Sequence, residues 1–172
     1  MLIEEAHNQV VARLGSTKRA EHSVFVGYIM RLLADRLGAD ITIWEVVGLC
    51  HDLDFFDTAG DRRLHGILAA SWLANDLPPE ALDAIRAHDH RTGVKAHTAI
   101  ADALKLADAF AIAVETAGRE AIVRLLKINN KEELRSVLTS CPYLSQMIVE
   151  CSQRLRLPLA ELAHICRDAP FQ

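Results

Sequence analysis

The chain is predicted to fold as an all-α domain, and three observations predict it. Alternating apolar and polar stretches of the kind a half-buried strand needs are almost absent. Ala, Leu, Glu, Arg and Lys fill long runs with a period of 3.6 residues. Those runs are punctuated by helix breakers and capping residues. At 172 residues the length suits one compact unit with a real core, so a single domain over 1–172 is expected.

The elements follow in order. A first helix over 1–14 stops at Gly15, and Ser16 or Thr17 caps a second that runs to Leu37 and ends at Gly38. Thr42 precedes a helix over 43–53. FDTAGDRR reads as a loop, and a helix over 63–74 ends before Pro78-Pro79. Proline is tolerated in a first helical turn because its missing N–H was unpaired anyway, so Pro79 starts a helix over 79–88. HDHRTGVKAH is polar, contains Gly93 and reads as a loop. The helix over 98–116 is strongly amphipathic, with Ile100, Leu104, Ala107, Ala111 and Val114 on one face. Beyond Gly118 come helices over 119–128, 131–138, 142–155 and 158–166, broken at Asn129-Asn130. Residues 118–172 thus form a helical C-terminal extension without any clustering of chemistry.

Composition removes several function classes. A net charge of -4 and a pI near 6.0 argue against nucleic acid as the main partner. No segment approaches 18 consecutive apolar residues, which argues against a membrane span, and the N-terminal stretch MLIEEAHNQVVARLG lacks the apolar core of a secretory signal. A cytoplasmic location is expected. Cys50, Cys141, Cys151 and Cys166 lack CxxC spacing and read as small buried hydrophobes. The oligomeric state is left open, a homo-oligomer included.

The chemistry lies elsewhere. His22, His51, His65, His88, His90 and His97 all fall between the second helix and the start of the long helix over 98–116. With the nearest acids they form a series, His22, His51-Asp52, His65, His88 and Asp108, each on or at the end of a predicted helix. Facing helices of a bundle build metal sites in this way, with side chains projecting inward. His22 shares a helical face with Val26, Ile29 and Leu33, and Asp108 lies on the Leu104, Ala111 and Ile112 side. A core carboxylate needs a cation, and no Arg or Lys lies near Asp108 on that face. Imidazoles with carboxylates suit one or two divalent ions of Fe, Mn, Co, Ni or Zn, whereas structural zinc more often takes cysteine.

The same residues resemble a known family. The order His22, His51-Asp52, Asp108 resembles the HD superfamily of metal-dependent phosphohydrolases, named for its His-Asp dipeptide. LHG at 64–66, AIRAHDHRTG at 84–93 and KLADA at 105–109 are similar to motifs of its two-metal branch, which includes HD-GYP phosphodiesterases and symmetrical diadenosine tetraphosphatases. The resemblance covers about residues 18–117 and implies an HD-domain helical bundle. It implies one metal held by His22, His51, Asp52 and Asp108, and a second that shares Asp52 and takes His65 and His88. It further implies hydrolysis of a phosphoester or phosphoanhydride in a small, nucleotide-like, phosphate-containing substrate.

The pattern departs from its relatives in two places. The lysine of an HDxxK pattern is replaced by the run Asp54-Phe55-Phe56, and the GYP signature is missing, which argues against cyclic di-GMP. Phosphate binding then falls to Lys105, one turn before Asp108, and to Arg62, Arg63, Arg91 and Lys95 on the flanking loops, with His90 a further candidate. Asp52, Lys105 and Asp54 are the candidate catalytic residues. Asp54 has two readings: it caps the loop after the helix, or it orients a ligand histidine or a metal-bound water. His97 reads as surface, and Phe55-Phe56 as a pocket wall or core plug. Two other functions compete: a mixed-valent di-iron oxygenase on the same ligands, and a non-catalytic ligand-binding module.

Overall fold

A computed structural model describes residues 1–127, 131–138 and 142–168. Among these it has ten α-helices and no strand: α1 (Ile3–Leu14), α2 (Lys18–Leu37), α3 (Ile41–Cys50), α4 (Ile67–Trp72), α5 (Pro79–Ala87), α6 (Ala99–Ala117), α7 (Arg119–Lys127), α8 (Lys131–Val137), α9 (Pro142–Arg154) and α10 (Leu159–Asp168). Short 3₁₀ turns lie at Arg62–Leu64 and His90–Thr92. The expected break at Asn129-Asn130 and Cys141 lie outside the described residues, as does the side chain of Cys166.

Caps explain most of the helix starts. The Thr17 side chain accepts from Ala20 N–H at 3.4 Å and that of Thr98 from Ala101 N–H at 3.3 Å. The third helix starts earlier than expected, because Asp40 rather than Thr42 provides the cap, accepting from Ile43 N–H at 2.9 Å. It also ends earlier, at Cys50, and residues 51–60 form a run of turns. The expected helix over 63–74 is reduced to Ile67–Trp72, since Gly66 adopts a left-handed φ of 79° that interrupts it.

Helix α6 is the central element. Ala101, Ala103, Ala107, Ala109, Ala111 and Ala113 are all buried on it, and these small side chains let α2, α3, α5, α7 and α9 pack against it. The C-terminal extension folds back on this core, α9 along α6 and α10 against both α7 and α2. Cys50 and Cys151 are buried free thiols whose pKa burial pushes up to about 12 and about 11, so both behave as apolar packing groups.

Two close backbone approaches place the histidines. Helices α2 and α3 cross at Gly27 and Gly48, where a Cβ on Gly48 would lie 2.7 Å from Gly27 Cα. That crossing brings the ring centroids of His22 and His51 to 5.5 Å. A Cβ on Gly66 would run into the Ile85 carbonyl and lie 2.9 Å from His88 Nδ1, and beside it the ring centroids of His65 and His88 lie 4.9 Å apart. Substituting Gly48→Ala therefore forces a methyl into backbone and costs about 3 kcal/mol, at the upper end of overpacking penalties. Chemical denaturation should show this as a lower midpoint with an unchanged slope, and a wild-type midpoint would contradict the crossing.

Candidate metal centre

The six residues of the ligand series converge. His22 comes from α2, His51 and Asp52 from the point where α3 unwinds, His65 from the link between the first 3₁₀ turn and α4, His88 from the C-terminal end of α5, and Asp108 from α6. All four imidazoles and Asp52 are 5% exposed or less. Asp108 is only partly buried, so the sequence expectation of a fully buried core carboxylate is corrected there.

Each imidazole is anchored through Nδ1. His51 Nδ1–H donates to the Gly48 carbonyl and His88 Nδ1–H to the Ile85 carbonyl, both at 2.7 Å. His65 Nδ1–H donates to Asp54 Oδ1 and His22 Nδ1–H to Glu115 Oε1, also both at 2.7 Å. These four oxygens can only accept, so every Nδ1 carries its proton and every Nε2 is turned inward. Metal-ligating histidines are held in this way, with the distal ring nitrogen bonded to a carbonyl or carboxylate.

The inward atoms meet around two carboxylates. Asp52 Oδ1 lies 2.9 Å from His65 Nε2 and 3.5 Å from His88 Nε2. Asp52 Oδ2 lies 3.5 Å from His51 Nε2 and 4.0 Å from His22 Nε2. Asp108 Oδ1 is 3.1 Å from His22 Nε2 and 3.9 Å from His51 Nε2. Two groups, His22 with His51 and Asp108, and His51 with Asp52 and His88, each bring one ligand atom per residue within 4.8 Å of the others.

Fit to a metal rests on one atom above all. His51 Nε2 is buried and has no hydrogen-bond partner, an orphan lone pair aimed into the cluster. A divalent cation would give such an atom a partner, and the mixed nitrogen and oxygen donors suit one.

Charge distribution follows from the same contacts. Burial opposes charging of His22, but hydrogen bonds with Asp108 and Glu115 outweigh it and raise the pKa to about 9. Burial likewise opposes charging of His65, while Asp52 and Asp54 raise it to about 9. His51 has no acceptor at Nε2, and burial lowers it to about 4. Asp52 would be raised by burial but is held well below the usual carboxylate range by His51, His65 and His88.

Asp54 does not cap the loop that follows α3 but bonds the His65 ring and backbone groups further along the chain. Its fully buried carboxylate holds His65 and also accepts from the N–H groups of Gly66 at 2.7 Å and Ala69 at 2.9 Å, at the start of α4. One side chain therefore fixes the His65 ring and the start of the helix that follows it.

The remaining candidates divide. His90 and Arg91 line a cavity of about 200 Å³ at the cluster, with Asp52, Phe55, His65, His88 and Asp108. Arg62 and Arg63 do not line it: Arg62 donates to the Phe55 carbonyl at 2.9 Å, and Arg63 pairs with Asp61 at 2.7 Å in solvent. Lys105 reaches the Ala96 carbonyl at 3.4 Å and borders an adjacent cavity of about 530 Å³ with Lys95, His90 and Tyr143. His97 and Phe56 are exposed, and Phe55 walls the cavity.

Four participants were missed by sequence reasoning. Arg19 donates to Asp52 Oδ2 at 2.9 Å, and its place three residues before His22 on one helical face was a readable signal. Glu115, two turns beyond Asp108, was equally readable. Asp89, which accepts from Arg91 Nε at 2.8 Å, and Tyr143, which lines both cavities, carry no signal in sequence.

A family model described as HD domain matches residues 19–113, which include every residue of the ligand series. No curated protein and no solved structure gives a match to the chain.

In protein stripped of metal by a chelator, His22 and His65 hold protons up to about pH 9 when folded but release them near 6.5 when unfolded. Their stabilisation is thus fully present below pH 6.5 and is lost as pH rises through about 9. Thermal melts of the stripped protein should show Tm falling over that window from this source. A divalent ion must displace these protons, so its uptake near neutral pH releases protons to buffer and raises Tm more at pH 9 than at pH 6.5. An equal rise at both pH values contradicts the ligand assignment.

Proposed function

The chain belongs to the HD domain family, and from that premise we propose that it is a metal-dependent phosphohydrolase acting on a small, nucleotide-like phosphate compound. The observation that carries this reading is the convergence of four Nδ1-anchored imidazoles on Asp52 and Asp108, with the His51 Nε2 lone pair left for a cation.

In this proposal His22, His51, Asp52 and Asp108 hold one divalent ion, and His65 and His88 hold a second through the shared Asp52 carboxylate. It is supported by the division of labour at Asp52, whose Oδ1 faces His65 and His88 while Oδ2 faces His51 and His22. Bound in such a centre, Fe, Mn, Co, Ni or Zn would polarise a phosphoryl oxygen and lower the pKa of a water. The chain's own residues then do the positioning. Arg91, held by Asp89, presents a guanidinium at the cavity, and Asp54 keeps the His65 ring and its proton fixed at Nδ1.

Size supports a divided substrate site. A cavity of about 200 Å³ suits a phosphoryl group and its immediate neighbours, not a whole nucleotide. The adjoining space of about 530 Å³ shares His88, His90, Tyr143 and Met147 with it and offers Lys95 and Lys105 to a further anionic or polar portion.

Two outcomes are expected. Protein reloaded with Mn, Fe or Co should hydrolyse members of a panel of nucleoside phosphates and model phosphodiesters, and lose that activity on chelation; a loaded protein inert on the whole panel would remove the proposal. Asp54→Asn should lower kcat/KM by about 10–100-fold, the usual effect of loosening a ligand histidine, with a matching loss of metal affinity by titration.

A further inference from the structure

Arg19 occupies the position that deserves explanation. It is the second residue of α2, and its Nη1 lies 2.9 Å from Asp52 Oδ2, the oxygen turned toward His51 and His22. Its guanidinium also lies over the Phe55 ring, with Cζ 4.0 Å from the ring centroid. Arg62 lies over the same ring at 4.2 Å, so one aromatic side chain serves two guanidiniums. Arg19 lines the cavity of about 200 Å³ together with Arg91, and about a quarter of its side chain is exposed.

A guanidinium cannot discharge at any working pH, so it can leave a carboxylate only by moving. A divalent cation that takes Asp52 Oδ2 therefore competes with Arg19, because its charge repels a guanidinium held 2.9 Å from the same oxygen. Movement is available without unfolding: the side chain is long and partly exposed, and its aromatic seat lies on the cavity wall. Once released, it faces the cavity beside Arg91 with a planar fork suited to two phosphate oxygens.

We propose that Arg19 is a displaceable clamp that masks Asp52 until the centre takes up a divalent ion and then binds a phosphate group of the ligand. The inference rests on the metal centre proposed above and adds a coupling to it. Loading with metal raises the affinity for phosphate, and by reciprocity phosphate raises the affinity for metal. Arg19 is then a positioning group for the cluster at rest and a ligand contact when it is loaded.

Titration of the full chain with Mn(II), with and without millimolar inorganic phosphate, tests this by binding alone. Without phosphate, Arg19→Gln should bind Mn(II) about tenfold more tightly than wild type, since the competing cation is gone; coupling of this size is usual between linked sites. Phosphate should tighten Mn(II) binding in wild type and do so at least about fivefold less in Arg19→Gln, where only direct ligation of the ion by phosphate remains. Arg19→Lys, which keeps the charge without the fork, should retain wild-type Mn(II) affinity and lose most of the phosphate effect, which also covers failure of the glutamine variant to fold. If all three proteins bind Mn(II) alike and respond alike to phosphate, the clamp is overturned while the metal centre stands. If wild type takes up no Mn(II), both fall.

Discussion

The carboxylate of Asp52 is the constraint on which the rest depends. It is almost fully buried, and burying an ionised carboxylate is tolerable only when positive groups surround it. Three helices and the link before α4 deliver those groups: His22 and Arg19 from α2, His51 from the end of α3, His65 before α4, and His88 after α5. Taking away the carboxylate would leave protonated His22 and His65 facing each other's field with only Asp108, Glu115 and Asp54 to balance them. The bundle is built around that charge, and the close crossings at Gly27, Gly48 and Gly66 are what let its partners reach it.

Half of the centre is made locally. The last carbonyls of a helix have no intrahelical donor, and a histidine placed just past the helix end can supply one. His51 does this to Gly48 and His88 to Ile85, each across three residues, so the same device at the ends of α3 and α5 fixes two rings with Nε2 outward from the helix. The other half needs tertiary structure: Asp54 reaches His65 across eleven residues and Glu115 reaches His22 across ninety-three. His51 stays neutral because it is buried with no hydrogen-bond partner at Nε2. His88, fixed in the same local way, is raised against its burial by its hydrogen bond to Asp52, and His22 and His65, facing carboxylates at both nitrogens, are drawn to the cationic form.

This division also decides what was legible beforehand. Helix class, the Thr17 and Thr98 starts and the convergence of the His and Asp series were readable because each depends on near neighbours or on residue type. The extent of α3 was misread because Leu53 continues an apolar pattern past the residue where the helix stops, and that pattern cannot report that His51 has taken a backbone acceptor. Arg62 and Arg63 looked like phosphate ligands by charge and proximity. Their actual partners, the Phe55 carbonyl and Asp61, are settled by the path of the turns between 51 and 64. Arg19 was missed although its place three residues before His22 on α2 could be read from the sequence.

The C-terminal extension gains meaning from where it packs. It shows no chemical clustering in sequence and lies beyond the matched family region, which ends at residue 113. Yet α9 lies along α6, and its Tyr143, Leu144 and Met147 line the cavity together with Phe55 and Arg19. Arg154 ties the far end of α9 to the buried Asp102 of α6 through a 2.9 Å bond from its Nε, so this wall is anchored on the helix that carries Asp108. In the proposed enzyme the metal ligands and the phosphate-facing cations would therefore sit within residues 19–113, while α9 adds a further part of the wall around the substrate. Changing the wall at Tyr143 or Met147 would alter which molecules enter while leaving every metal ligand and every Nδ1 anchor in place.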